Sequence, residues 1–468
     1  MTSIIQSGHR GIVSLTIMAS VIAWAARANA RADGALSTSP NGGSGAASNA
    51  TGVVEVQHGP PQPGAVRAYH GPIVKGVDTQ TLTGKVMCGY QGWFGTPNDG
   101  SGERGWRHWT KHYGPLADGN AKVDLWPDVS ELSPAERFVT GFKLPDGRPA
   151  EVFSSYKEST VRRHFQWMRD YGIDGAFVQR FAADLRNPLE LGRANTVLAN
   201  CRAGANQNGR AYAVMYDLSG LPAGGTDRVI NDWRALRRQM AITEDPAYLH
   251  HHGKPVVAVW GVGFNDHRDY TLAECRRLIE FLKNDPEAGG CTVMVGVPAH
   301  WRELRSDAVA DPELLEVLKL ADVISPWTVG RYATPEAAAR YAEEVFKPDQ
   351  AWCQQRNINY LPVVFPGFSW HNMYGAPAAK IPRLHGRFLW SQFQAAKRAG
   401  ASMIYVAMFD EVDEGTAIFK CSNEVPVGGK SQFIGFEGLP SDYYLKLVGA
   451  GAKLLRGELS WKDTPPSP

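Results

Sequence analysis

Two glutamates, Glu411 and Glu414, stand three positions apart in the run Phe409-Asp410-Glu411-Val412-Asp413-Glu414-Gly415-Thr416. If the chain turns there with helical geometry, their Cβ atoms come within about 5–6 Å of each other. Two carboxyls so placed suit the cleavage of a glycosidic bond, where one protonates the leaving oxygen and the other assists at the sugar, and a close pair fits the retaining outcome. Crowding raises the pKa of one of them, so that one stays an acid while the other is charged. The competing reading is that Asp410, Glu411, Asp413 and Glu414 start a helix, favoured there by its dipole and caps. A calcium loop fits less well, because its acids alternate before a glycine and Asp-Glu-Val-Asp-Glu-Gly departs from that order.

Other residue types with a use in sugar recognition are spread along the chain. Tyr90, Trp93, Trp109, Trp260, Trp327 and Trp370 are candidate stacking platforms, since aromatic faces offer large contact areas, although each equally suits core packing at a barrel rim. His108 and His371 lie among these aromatics as candidate hydrogen-bonding partners. Arg180 and Asp217 are read as hydroxyl ligands or structural partners, and Asp410 and Asp413 flank the glutamates as further contacts. The run His250-His251-His252 is read as an exposed loop rather than a zinc site, because adjacent loop residues rarely converge on one ion. The sequence contains no glycine-rich phosphate loop, nucleophile elbow or HExxH motif. Neither a metal nor a cofactor is expected.

Positioning these residues requires a scaffold, and the hydrophobic pattern supplies one. Eight short apolar, β-branched runs occur at 85–89, 175–179, 211–216, 255–260, 292–297, 323–327, 361–365 and 403–408. Stretches of helical period separate them, such as 159–170, 272–284, 335–346 and 386–398, which is the pattern of repeated β/α units. The fold class is therefore α/β, a (β/α)8 TIM barrel in a single catalytic domain. An open doubly wound sheet is the alternative. The unusual residues cluster just after the C-terminal ends of the runs, the face on which barrel active sites are built, and this favours the barrel.

The ends and the composition bound the setting. Arg10, the apolar stretch 11–26 and Ala28-Asn29-Ala30 form a secretory signal over 1–30. Its apolar core of about sixteen residues falls short of the roughly twenty that span a bilayer. Residues 31–70 read as a disordered leader rich in Gly, Ser, Ala and Pro, 71–460 as the catalytic domain, and 461–468 as a flexible tail. The expected product is a secreted or periplasmic monomer with no stable membrane insertion. A net charge of +2, with acids and bases interleaved, leaves no footprint for nucleic acid, so a neutral poly- or oligosaccharide is the expected partner. Six cysteines in an exported chain could form disulfides, Cys275 with Cys291 being one pairing, while Cys88 falls within a buried strand.

Four segments together resemble a known family. Glu411-Val412-Asp413-Glu414-Gly415-Thr416 resembles the E-x-x-E-G-T element of glycoside hydrolase family 99, the endo-α-mannosidases and endo-mannanases. Tyr90-Gln91-Gly92-Trp93-Phe94-Gly95-Thr96-Pro97, then Asp99-Gly100 and Trp106-Arg107-His108-Trp109, resembles its Y-x-x-W-Y-G-N-P…D-G…H-W segment. Gly172-Ile173-Asp174-Gly175 is similar to its strand-2 entry, and Pro366-Gly367-Phe368 to its P-G-Y turn. The resemblance implies a retaining, metal-independent glycosidase in which Glu411 is the base on the substrate's own 2-hydroxyl and Glu414 the general acid/base. Where the family has Asn, Trp and His around the glutamates, this chain has Asp410, Val412 and Asp413. The family's contacts at those positions therefore do not carry over. A sister group of the family 71/99 type acting on an α-glucan or another polysaccharide is an equal expectation. A non-catalytic carbohydrate-binding barrel and a glycosyltransferase-like relative are the alternatives in function.

Overall fold

The computed structural model describes residues 66–460 and 462–467. The signal segment 1–30 and positions 31–65 of the leader lie outside the described residues. Val66 packs against the core and the Arg67 carbonyl accepts from the Arg202 guanidinium at 2.8 Å. At the other end the Lys462 carbonyl accepts from the Trp390 and Gln394 side chains at 2.8 and 2.6 Å.

The barrel is built from parallel strands β1 (Val86–Tyr90), β4 (Gly175–Phe181), β5 (Ala211–Asp217), β7 (Lys254–Trp260), β8 (Thr292–Val297), β9 (Val323–Pro326), the short pair β10 (Asn359–Tyr360) and β11 (Val363–Val364), and β12 (Ile404–Val406). Their order in the sheet is β10-β9-β8-β7-β5-β4-β1-β12-β11. Strands covered on both faces read as continuous apolar runs, and β8 (TVMVGV) is buried along its whole length.

Closure occurs within the seventh run. That run was expected as one strand over 361–365 but is split around Leu361-Pro362. Asn359–Tyr360 pairs with β9 and Val363–Val364 with β12, so one stretch of chain bonds first to one neighbour and then to the other. Pro362 has no N–H to give a ladder, which ends the first piece. Its carbonyl still accepts from Tyr405 N at 3.0 Å.

Helices alternate with the strands. Glu158–Asp170, Leu272–Asn284, Pro335–Tyr341 and Arg387–Arg398 fall on the periodic stretches. Leu272–Asn284 starts with a reciprocal cap in which Thr271 accepts from Glu274 N and Glu274 accepts from Thr271 N.

Two hairpins add to the expected scheme. One is antiparallel β2 (Phe138–Lys143) with β3 (Pro149–Val152), in the long insertion after β1. The other corrects the exposed-loop reading of the histidine run: His250–His251 is strand β6, paired antiparallel with β7, and His251 is buried. Its Nδ1 accepts from Leu82 N at 3.2 Å and its Nε2 lies 2.9 Å from Asn359 Oδ1. All six cysteines are free and buried, so the Cys275–Cys291 disulfide does not form. Each thiol serves as a small apolar residue. Among the described residues, no helix is long and apolar enough to cross a membrane.

Candidate active site

The acidic run leaves β12 and makes a turn over 412–415 rather than opening a helix, which removes the helix-start reading. The Glu411 carbonyl closes the turn by accepting from Thr416 N and Ala417 N at 3.2 and 3.0 Å. Gly415 sits in the left-handed region at φ +65°, and a Cβ there would lie 3.0 Å from Ser369 Cβ, so glycine is required twice over. Four residues fasten the turn. Buried Arg383 donates to the Gly415 and Ala417 carbonyls at 2.9 and 2.6 Å, Ser369 N donates to the Glu414 carbonyl at 2.9 Å, and the N–H groups of Asp124 and Leu125 reach the Val412 carbonyl. Asp124 in turn accepts from Ser369 Oγ, His371 N and Asn372 N, tying the loop after β11 to the same point.

Four carboxylates are thereby concentrated in little space, and each has a different environment. Asp410 is fully buried and accepts backbone N–H bonds from Gln91 and Gly92 at 2.8 and 2.9 Å; burial nevertheless pushes it up to about 7. Gly92 turns its N–H to this carboxylate from a left-handed conformation at φ +60°. Although burial pushes Asp413 upward, the Lys122 ammonium at 3.1 Å and the neighbouring His108 hold its carboxyl below the ordinary range. Burial, followed by the charges of Glu414 and Asp413, raises Glu411 well above a usual glutamate. Its oxygens accept from Gln91 Nε2 at 2.9 Å and Thr416 Oγ1 at 3.1 Å. Glu414 is pushed up to about 7 by burial and then by Asp413, while Lys122 and the Trp370 indole pull the other way. The charge of Glu414 is thus one of the causes that raise Glu411, and Asp413 acts on both.

Glu414 forms part of the wall of a cleft of about 460 Å³, counting its open mouth. Trp260, Phe264, Trp327, Phe368 and Trp370 supply aromatic faces, and Asp266, Arg268 and Arg331 supply polar edges. Trp260 and Trp327 meet edge to face at 5.7 Å, and Phe368 and Trp370 at 4.8 Å. These residues follow the C-terminal ends of β7, β9, β11 and β12, the expected catalytic face. Glu411 is not on the wall; it lies 3% exposed.

The expected site residues divide accordingly. Trp260, Trp327, Trp370 and Glu414 come together in the cleft. Trp93 and His108 stack on each other at 3.9 Å and 9°, with Lys122 Nζ 3.3 Å from His108 Nδ1 and 5.7 Å above the Trp93 ring. Burial and Lys122 push His108 down to about 3, so this ring is neutral. They form, with Asp413, a cluster on the opposite flank of the turn.

Several candidates are structural. Tyr90 is wholly buried, with its hydroxyl 2.9 Å from His164 Nδ1, and Trp109 packs between Phe94 and Phe153 in the core. Arg180 is 1% exposed and locked by Asp232 at 2.8 and 2.5 Å and by Asn195. Asp410 serves the loop after β1. The His371 ring is tied to the Ala376 carbonyl at 2.8 Å, and Asp217 accepts from Ser219 N at 2.7 Å; neither lines the cleft.

Sequence reasoning missed Phe264, Arg268, Arg331 and Lys122. Position alone, in the loops after β7 and β9, could have pointed to the first three. Lys122 lies in an aperiodic stretch with no local signal. Among the described residues, no group of three or more His, Cys, Asp or Glu is placed to hold a metal ion.

No family model and no curated protein sequence matches the chain. Solved structures do resemble it. The GH99 endo-alpha-mannosidase from Bacteroides thetaiotaomicron superposes with a TM-score of 0.59 at 17% identity, covering 81% of this chain and 99% of that one. A second structure of that enzyme, in complex with BIS-TRIS-propane, gives a TM-score of 0.57 at the same identity and coverage. A glycoside hydrolase-like protein gives 0.51 at 14% identity, covering 83% and 98%. At such identities the likeness establishes the shared barrel fold.

Proposed function

We propose that this chain is an exported, monomeric glycoside hydrolase that cleaves an α-linked glycan, mannan-like or related, with retention of configuration. The observation that carries the reading is Glu414 in the wall of an aromatic cleft at the C-terminal end of a β/α barrel, with Glu411 buried three positions before it in the same turn. Aromatic faces with a few polar edges suit the apolar faces and hydroxyl rims of sugar rings. The likeness to a GH99 endo-alpha-mannosidase supports the same substrate class.

In this reading Glu414, raised to about 7, holds a proton near neutral pH and gives it to the leaving glycosidic oxygen. Glu411, buried behind the cleft wall and raised in the free protein, acts as the base in this proposal once bound substrate has brought its 2-hydroxyl against the charged carboxylate: it takes that proton as the 2-oxygen closes on C1 and the glycosidic bond breaks. Water then attacks C1 and yields its proton to Glu414, while Glu411 returns its proton to the 2-oxygen. Gln91 and Thr416, which donate to Glu411, hold it in place for this exchange. The alternative of a non-catalytic sugar-binding barrel would need the cleft but not the pair.

The test is incubation of the purified protein with α-mannans, α-glucans and plant glycans, following new reducing ends and product anomeric configuration. Glu411→Gln and Glu414→Gln should each slow turnover by about 10³-fold with the fold retained. Near-normal activity in either variant removes that residue's role, and retention of glycan without cleavage by the unaltered protein would favour the binder.

A further inference from the structure

A second cavity, enclosing about 680 Å³ when the open solvent at its mouth is counted, adjoins the cleft. It is framed by the loop 261–271 after β7, the start of helix Leu272–Asn284, and residues Val309 and Asp311. Phe264 and Arg268 line both cavities, so the two share a wall.

That wall is rigid. Asp266 grips Arg268 with both oxygens at 2.8 and 2.9 Å, the Tyr270 hydroxyl accepts from it at 2.7 Å, and the guanidinium lies over the Trp260 and Phe264 rings at 5.1 and 4.8 Å. The loop backbone is braced against 307–309 by Asn265 N to the Asp307 carbonyl at 2.8 Å and Val309 N to the Gly263 carbonyl at 2.9 Å.

The chemistry of the cavity is mixed in a particular way. Phe264, Tyr270, Leu272 and Val309 give it an apolar base, whereas Asn265 and His267 stand exposed at its rim. The side chains of Asn265 and His267 make no hydrogen bond with any described residue, and His267 is held in the left-handed region at φ 62°. An amide and an imidazole, both uncommitted and set over an apolar base, match the hydroxyl edge and the C–H face of a sugar ring. Arg268 is neutralised by Asp266, whereas the lining carboxylate of Asp311 is exposed and accepts from Glu313 N at 2.9 Å, a charge that accepts from hydroxyl groups and repels anions.

We propose that this cavity is a second sugar-binding site, taking a neutral glycan unit of the same substrate that lies beyond the Phe264–Arg268 wall from the scissile bond. The proposal rests on the glycosidase reading above, and it makes the enzyme prefer extended or branched chains over short ones.

The experiment compares the shortest α-linked manno- or gluco-oligosaccharide that is cleaved with one several units longer. Asn265→Trp, which fills the cavity, and His267→Ala, which removes a rim contact, should lower the long-to-short ratio of kcat/KM by about tenfold, through KM rather than kcat. An unchanged ratio in both variants overturns the proposal. Calorimetric binding of the long oligosaccharide to Glu414→Gln, with and without Asn265→Trp, tests the site independently of turnover. Affinity that falls about tenfold on filling supports it, and equal affinity overturns it. Binding that depends on Asn265, with the unaltered protein cleaving none of the glycans, would sink the hydrolase reading and leave the site standing, whereas no binding at all would sink both.

Discussion

On the flank of the acidic turn that faces the loop after β1, Asp410 is pinned by two backbone N–H groups and Asp413 by Lys122, with His108 and Trp93 stacked alongside. On the other flank, Glu414 meets aromatic rings across open space, and its carboxyl has no cation of its own within salt-bridge distance among the described residues. The same five-residue stretch, Asp410 to Glu414, thus supplies both an anchor and a working surface. The difference teaches that buried charge is affordable here where it is paired, and that the paired side holds still the group left unpaired on the other. Asp413, between the two glutamates, joins the flanks: its partner is Lys122, and its charge raises both Glu411 and Glu414.

The sharpest way to break this contrast is to remove the cation. Lys122→Met leaves Asp413 buried without its partner and should destabilise the fold by about 3–5 kcal/mol in urea denaturation. A loss near zero would show that the anchored flank does not depend on charge pairing. Next in size, Asp410→Ala strands the Gln91 and Gly92 N–H groups in the interior, at a cost of about 2–3 kcal/mol by the same measurement.

The third test reads the working side through pH. Because the folded-state pKa of Glu414 is raised from 4.5 to about 7, the folded form binds more protons between those values, so this group's contribution to stability is fully present below about 4.5 and is lost as pH rises through 7. Glu414→Gln should remove on the order of 3 kcal/mol of that fall, seen as a flatter plot of urea midpoint against pH. A slope identical to the unaltered protein's would show that Glu414 titrates normally. The smallest effect expected is on binding alone: Trp327→Ala should raise KM about tenfold while leaving kcat near its original value.

Much of the scaffold was legible because buried parallel strands must be apolar on both faces, and the eight runs and the helix over Leu272–Asn284 emerged from that constraint. The split around Pro362 was legible only in part. Proline marks a break in any ladder, but the switch from β9 to β12 depends on how the barrel closes. The hairpin Phe138–Val152 was not foreseen, since its pattern is half exposed and lies in an insertion.

The position of Glu411 and Glu414 just after the last strand was legible, because it depends on local sequence, whereas the non-helical turn that Gly415 permits was not. Where partners are distant the reading stayed open between ligand and structural roles: Tyr90 and Arg180 stand at strand ends, and His164 and Asp232, 74 and 52 positions away, claim them.

What the sequence determined by itself was the alternation of strand and helix, the acidic run and its place after the last strand, because these depend on residues within one element of each other. Which side of each strand end opens to the cleft, which carboxyl is paired and which is left to work, and where a second cavity shares the wall of the first were decided only in three dimensions. Ion pairs, stacking and burial act between side chains that the chain brings together from remote positions, and their energies depend on the surroundings assembled there.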